Sequence, residues 1–314
     1  MANYKVVDAD ELDAKFSAIG DSVRAKTGKT ELIPIDDIPA EIDSISGGGG
    51  DPRVKQLIEG TLEELNDENI TYIQEKALWY NSSITSVSLP NATTVGSNGI
   101  AYLGALKRVD LPNVTAIKDN AFYNSASLSE IYLPNLKKAG FRAFGSTGIR
   151  NIILPQLDTI GSNTVDSCQN LFSQCKKLEY AVLSKIPNLP SQAFTYCSNL
   201  IYVDTSLAAY IPSNAFTSCE NLKYLILRIT GQICRLNNVS AVSKTPFAED
   251  GTGGICLVPS ALITEYQTAT NWSTLYTAGT CLFWALEDYT VDGTIEGEID
   301  WDKLNTDREG AFAS

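Results

Sequence analysis

Histidine is missing from all 314 residues, and methionine occurs once. The first absence removes serine–histidine and cysteine–histidine nucleophile pairs, histidine metal ligands and an imidazole pH switch. None of the cysteines, Cys168, Cys175, Cys197, Cys219, Cys234, Cys256 and Cys281, stands in a C-x-x-C pair, which weighs against a zinc site or a thioredoxin-like motif. No stretch approaches the roughly 18 uninterrupted apolar residues of a bilayer span, so no membrane insertion is expected. Positive charge is scarce: 24 Lys and Arg against 37 Asp and Glu leave −13, and nucleic acid is not an expected partner. The glycine runs Gly47–Gly50 and Gly251–Gly254 lack the Lys-Ser/Thr of a phosphate loop, and no cofactor is expected. Carboxylate pairs fall in the acidic ends without glycosidase or protease spacing, so the chain reads as non-enzymatic. The start of the chain reaches Asp8, Asp10, Glu11 and Asp13 before any apolar run, and no signal peptide is expected.

What is present is a core-forming composition, 44% hydrophobic, with its acidity at the ends. Residues 1–78 carry 8 basic and 17 acidic groups, 79–283 carry 14 and 11, and 284–314 carry 2 and 9, for balances of −9, +3 and −7. The first segment reads as a helical anchor module over 1–46. Leu12, Phe16, Ile19 and Val23 share one helix face, and Arg24, Lys26 and Lys29 complement its C-terminal dipole. A face that small needs another chain to dock on or a second copy of itself. Residues 47–52 form a glycine-rich joint. Val54, Leu57, Ile58 and Leu62 then predict another helical stretch, with Ile70, Ile73, Ala77 and Leu78 leading into the region it caps.

The long middle is periodic. Leu-Pro recurs at Leu89, Leu111, Leu133 and Leu154, at intervals of 22, 22 and 21 residues. Each pair closes a segment with apolar residues at positions one, four and six, as in Leu106, Val109 and Leu111. The spacing continues without proline at Leu178–Leu183, Leu200–Thr205 and Leu222–Leu227, which makes seven rungs. Positions four and six face inward on a strand that the proline ends, having no N–H to donate. Eleven residues past the closing position, Leu111, Leu133, Leu183 or Thr205, Phe122, Phe144, Phe194 and Phe216 follow an alanine and fill the opposite wall, with Val95, Ile117 and Ile160 in a short second strand between. The step from Leu154 to Leu183 is longer, and its surplus around Asp166–Leu171 should project as a loop. Cys175, Cys197 and Cys219 form a ladder, open to disulfides or to an inward slot for small residues. The fold class is mainly β: a solenoid of about seven 22-residue rungs over 53–283, a small α-helical N-terminal module and a C-terminal β-hairpin in an acidic tail over 284–314.

The pattern Leu128-Ser-Glu-Ile-Tyr-Leu-Pro-Asn135 with Ala215-Phe-Thr-Ser-Cys-Glu-Asn-Leu222 resembles the BspA-like, Treponema-type leucine-rich repeat family over residues 80–280. Val258–Trp272 is similar to the terminal segment of such proteins, in which a short helix and a Trp seal the last rung. Leu12–Ile45 resembles a small module of phage and prophage structural proteins of Gram-positive gut bacteria. These resemblances imply adhesion or protein recognition by the repeats. They further imply attachment to other virion proteins through the N-terminal module, synthesis in the bacterial cytoplasm and a virion tail location. A trimer follows by analogy with spikes and fibres.

Outward strand positions give the candidate surface for a host protein or glycan. One column runs Ser86, Arg108, Glu130, Asn151, Tyr180, Tyr202 and Tyr224, and the next includes Asp110, Tyr132, Ile153, Asp204 and Ile226. Tyr180, Tyr202 and Tyr224 should form an exposed aromatic strip, which either binds a ligand or only stabilises the sheet. Asp292-Gly293 predicts a tight hairpin. Beyond it Glu296, Glu298, Asp300 and Asp302 alternate with apolar residues, as on a strand whose carboxylate face guards an edge or, less favoured, takes calcium. Trp301 would anchor that strand to a neighbouring subunit.

Overall fold

The computed structural model describes residues 61–161, 170–248 and 251–312. The anchor module with Leu12, Phe16, Ile19 and Val23, the joint 47–52, Val54–Ile58 and Cys168 lie outside the described residues. Each Leu-Pro segment forms a three-residue front strand, Ser86–Ser88, Arg108–Asp110, Glu130–Tyr132 and Asn151–Ile153. Pairing is parallel and follows the repeat, with Val87 beside Val109 and Val109 beside Ile131. The repeats without proline gain a residue: Tyr180–Leu183, Tyr202–Thr205 and Tyr224–Leu227 are four long and pair Leu183 with Thr205 and Thr205 with Leu227. Arg228, standing where other repeats have proline, donates its N–H to the Thr205 carbonyl at 2.9 Å.

The second wall is the five-stranded parallel sheet of Tyr72–Ile73, Thr94–Val95, Ala116–Ile117, Lys138–Ala139 and Thr159–Ile160. Between the walls Phe122, Phe144, Phe172, Phe194 and Phe216 are fully buried. Successive rings lie 5.2–5.6 Å apart and within 16° of parallel. The turns that carry them bond from rung to rung, Phe122 N–H to the Ala143 carbonyl at 2.8 Å and Phe194 N–H to the Ala215 carbonyl at 2.9 Å. Cys175, Cys197 and Cys219 are free buried thiols. Each donates to the carbonyl of a Phe one rung back, Phe144, Phe172 and Phe194, at 3.0, 3.1 and 3.0 Å. Thr147 and Ser125 continue the same slot, and Ser125 Oγ donates to the Ile100 carbonyl at 3.0 Å. The ladder is therefore a file of small hydrogen-bond donors, and its thiols need no disulfide.

Two expectations change. The helix read through Leu62 toward Leu78 is a further rung instead: Glu64–Asn66 and Tyr72–Ile73 are strands, paired in parallel to Ser86–Ser88 and Thr94–Val95. Leu62 and Leu65 occupy positions one and four, a separation that also fits one helical turn. After the seventh expected rung, Gly254–Val258 and Cys281–Ala285 extend the front sheet to six strands. Helices α1 (Ile263–Thr268) and α2 (Trp272–Thr277) connect these two strands. Trp272 is buried as the terminal-segment resemblance implies, and its Nε1 donates to the Cys234 carbonyl at 2.7 Å. Of the surplus after Leu154, Asn170 and Leu171 are buried rather than projecting, and the rest lies outside the described residues.

The front ladder has one seam. Among the described residues no backbone hydrogen bond joins Ser129–Leu133 to Arg150–Leu154, and the front wall divides there into sheets of four and six strands. The 21-residue step explains it. Ser125 precedes Leu128 by three residues, whereas its counterpart Thr147 precedes Ile149 by two, so the turn is one residue short. Gly148 sits in that turn, where a Cβ would stand 2.2 Å from the Ala126 carbonyl oxygen.

Gly148→Ala should therefore destabilise the solenoid by about 1–3 kcal/mol through overpacking, read from the denaturant midpoint. Gly104→Ala, with nothing within 4 Å of its Cβ, is the control expected to leave the midpoint in place. Burial also pushes the Cys175 thiol up to about 11 from 9.0, and raises Cys197 and Cys219 as well. The unfolded chain then loses these protons first. The thiol contribution to stability should be full below pH 9.0 and fall as pH rises toward about 11, as thermal melts across that range would show. The same thiols should resist an aromatic disulfide reagent until the chain unfolds.

Candidate functional site

Stacking fixes the inward side chains of every rung and leaves the outward ones free, so candidate binding residues lie on the front wall. Arg108 and Glu130 are exposed neighbours in the first column, 3.4 Å apart. Tyr180 and Tyr202 stack at 5.0 Å with rings 3° from parallel. In the second column Tyr132 is 57% and Ile153 56% exposed, on opposite sides of the seam.

Both columns lose access to solvent toward the C-terminus. Tyr224 is 1% exposed and Ile226 fully buried, so the expected strip of three open tyrosines is corrected to two half-buried rings and one covered ring. The cover is the chain's own C-terminal segment. Its Asp-Gly turn closes more widely than the sequence predicts: Thr290 bridges Ile299, Val291 N–H donates to the Glu298 carbonyl at 2.8 Å, and Asp300 N–H donates to that of Tyr289 at 2.8 Å. The predicted acidic strand is then replaced by helix α3 (Trp301–Ala311). Asp300 caps it by accepting from the Lys303 N–H at 3.1 Å, and Asp302 lies in its first turn, where carboxylates favour the helix dipole. Trp301 accordingly belongs to no edge strand. Its ring packs 4.4 Å from Tyr202 and 5.8 Å from Tyr224 of its own chain. Among the described residues no three His, Cys, Asp or Glu side chains are grouped to hold a metal ion.

This cover makes a second apolar cluster outside the solenoid, Tyr224, Ile226, Ile255 and Leu257 against Leu286, Ile299 and Leu304. Tyr224 OH donates to Asn305 Oδ1 at 2.6 Å. Asp204, expected on the surface, is buried in an ion pair: Arg228 Nε and Nη2 each donate to its carboxylate at 2.9 Å. Arg228 Nη1 donates to the carbonyls of Ile295 and Gly297, which ties the turn to the front wall. Burial holds the Asp204 carboxyl above the ordinary carboxylate range, and the Arg228 guanidinium pulls against that shift. The pair therefore places the segment more than it stabilises it. Burial likewise raises the Tyr202 and Tyr224 hydroxyls, so both stay protonated donors at neutral pH.

Between α3 and the front wall lies a notch of about 730 Å³, lined by Tyr180, Ile201, Tyr202, Lys223 and Tyr224 below and by Trp301, Asn305, Arg308 and Glu309 above. The sequence singled out its tyrosines and Trp301. It missed Arg228, Lys223 and, in the α3 wall, Asn305, Arg308 and Glu309. One signal was available: Tyr224–Leu227 and Gly254–Val258 are apolar on both faces, the mark of a strand covered on both sides.

Parallel strands on two walls, stacked at the repeat spacing around an aromatic file, define a leucine-rich-repeat solenoid. The model of the BspA type leucine rich repeat region matches in six copies, over residues 61–172 and 168–238. The chain belongs to that family. Among solved structures it is similar to the T. pallidum leucine-rich repeat protein, with 26% identity over 49% of this chain and 72% of that one and a TM-score of 0.44. It is also similar to a leucine-rich repeat protein from Bacteroides ovatus, with 20% identity over 72% of this chain and 66% of that one and a TM-score of 0.45. Comparison with curated proteins gives no match.

Arg228→Ala leaves Asp204 as an unpaired buried carboxylate and should cost about 3–5 kcal/mol. Limited proteolysis should then cut first within 287–312. The double change Arg228→Met with Asp204→Asn should recover much of that loss, and equal protease resistance of all three proteins would remove the clamp.

Proposed function

We propose that the protein is a non-enzymatic, tail-associated structural protein of a phage, whose leucine-rich-repeat solenoid recognises a host-surface component or another protein. One observation carries the recognition part. The inward lattice repeats almost unchanged, whereas the outward residues above it change chemistry at each rung, from Arg108 to Glu130, Asn151 and Tyr180. A rigid frame with a free face suits binding. The resemblance of Leu12–Ile45 to a phage structural module supports the virion assignment, with Leu12, Phe16, Ile19 and Val23 docking onto other tail proteins and a trimer as the assembly. Membership of the BspA-type family supports a cell-surface adhesin equally well, and that is the second reading; an intracellular scaffold is the third.

Mass spectrometry of density-purified particles from an induced lysogen distinguishes them. Peptides of this chain should copurify with tails at a fixed ratio to a tail structural protein. Their recovery by protease shaving of intact cells, with none in particles, would replace the phage reading by the adhesin. Arg108→Ala combined with Tyr180→Ala should lower adsorption of the purified protein to host cells by about tenfold, the effect of losing roughly 1.4 kcal/mol of contact.

A further inference from the structure

We infer that the seam between Glu130–Tyr132 and Asn151–Ile153 is an acceptor for an extended, uncharged segment of a partner protein, which enters as an added strand. This deepens the recognition reading and rests on it. Along a parallel strand, successive residues turn their backbone groups to opposite edges. Leu111 N–H donates to the Tyr132 carbonyl and Glu130 N–H to that of Lys107, both at 3.1 Å, so Glu130 and Tyr132 face the preceding strand and Ile131 faces the seam. On the other lip Glu179 N–H donates to the Arg150 carbonyl at 2.6 Å and Leu154 N–H to that of Val182 at 2.9 Å. Arg150, Ile152 and Leu154 therefore face Tyr180–Leu183, and Asn151 and Ile153 face the seam. The N–H and C=O groups of Ile131, Asn151 and Ile153 thus point into it with no backbone partner among the described residues. Behind the seam the coils stay joined, with Asp158 N–H donating to the Lys137 carbonyl at 3.1 Å and Gly161 N–H to that of Ala139 at 2.7 Å. An added strand needs the lips to part in front, about that second wall as a hinge.

The lips are apolar. Ile131 stands at the inward fourth position, where Val87, Val109, Ile152 and Val203 are buried, yet it is only half-buried, so the seam reaches toward the core. In the outward fifth position the lips carry the exposed Tyr132 and Ile153, whereas the coils on either side carry Asp110 and a half-buried Val182. The ion pairs nearby each stay on one side, Arg108 with Glu130 at 3.4 Å and Arg150 with Glu179 at 3.5 Å. Among the described residues no hydrogen bond, ion pair or ring contact crosses the seam on the front wall. Charge beside the seam is therefore matched, and what is left over is backbone polarity and apolar surface. A strand answers both: it offers N–H and C=O groups along its two edges, and side chains on alternate faces to lie on Ile131 and between Tyr132 and Ile153. A saccharide offers hydroxyls but no pair of ladders. The strands of Tyr180, Tyr202 and Tyr224 are each paired on both edges and give a strand no entry.

The full chain is panned against a display library of random peptides, and the recovered sequences are synthesised and titrated by calorimetry. The expected peptides carry apolar residues at alternate positions and no proline among them. Affinity should fall by about tenfold in Tyr132→Ala. Asn151→Pro removes an N–H from the seam edge alone, where a strand tolerates proline, so it should keep the denaturant midpoint of the parent while also lowering affinity by about tenfold. Tyr180→Ala, away from the seam, should bind as the parent does. Hydrogen exchange followed by NMR reads the seam directly: the Ile131, Asn151 and Ile153 amides should exchange faster than that of Val109, which faces a paired junction, and slow when peptide is bound. Recovery of no peptide, unchanged affinity in Tyr132→Ala, or a bound peptide that leaves those amides unprotected overturns the assignment, whether or not Asn151→Pro folds. Adsorption to cells separates this from the broader reading. If Tyr132→Ala loses adsorption while no peptide binds at the seam, only the ligand class falls; if peptide binds there but no seam variant alters adsorption, the seam stands and surface recognition through it falls.

Discussion

The solenoid depends throughout on one coil satisfying the next. A rung has too little apolar surface and too many backbone donors and acceptors to stand alone, so its strands, its Phe turn and its donor slot are all completed by neighbours. Phe194 stacks on Phe172 and Phe216, while Cys197 donates its S–H to the Phe172 carbonyl. Asn113 and Asn135, which follow the Leu-Pro pairs, donate to the carbonyls of Pro90 and Pro112 at 2.8 and 2.9 Å, so even the residue that ends a strand is tied one coil back.

The same dependence decides what could be read from sequence. An inward position repeated at 22 residues leaves a record that needs no structure, and the strands at Val109, Ile131 and Val203, the Phe wall and the rungs that continue without proline were legible for that reason. Positions whose partner is not periodic were not. Leu62 and Leu65 are separated by three residues in a helix and in this repeat alike, and the rung lacks its closing Leu because Asp67 stands there. The C-terminal acidic residues alternate as a strand would. Asp300, however, caps a helix, and Leu304 finds its partners in Ile226 and Leu257, tens of residues upstream. The candidate surface was legible as two columns of residues, and its covering was not.

That covering changes what the front wall offers. The solenoid alone would present an open ribbon from Ser86 to Tyr224. With α3 in place the ribbon becomes an exposed polar stretch around Arg108 and Glu130, an apolar pair at Tyr132 and Ile153, and a walled notch at Tyr180 and Tyr202. Arg228 sets the boundary between open and covered wall, because its guanidinium holds Asp204 of the preceding coil and the Ile295–Gly297 turn at once.

The missing residue beside Gly148 also sets how the solenoid would yield to a pull. Pulled along the stacking axis, coils part by breaking the bonds on both walls and in the turns together. At the step from Glu130–Tyr132 to Asn151–Ile153 the front wall contributes no ladder bond, so the load falls on the second wall, where Gly161 N–H meets the Ala139 carbonyl at 2.7 Å, and on the turns. Stretching should open the rod there first, leaving the C-terminal coils with their tyrosines and notch as one intact fragment.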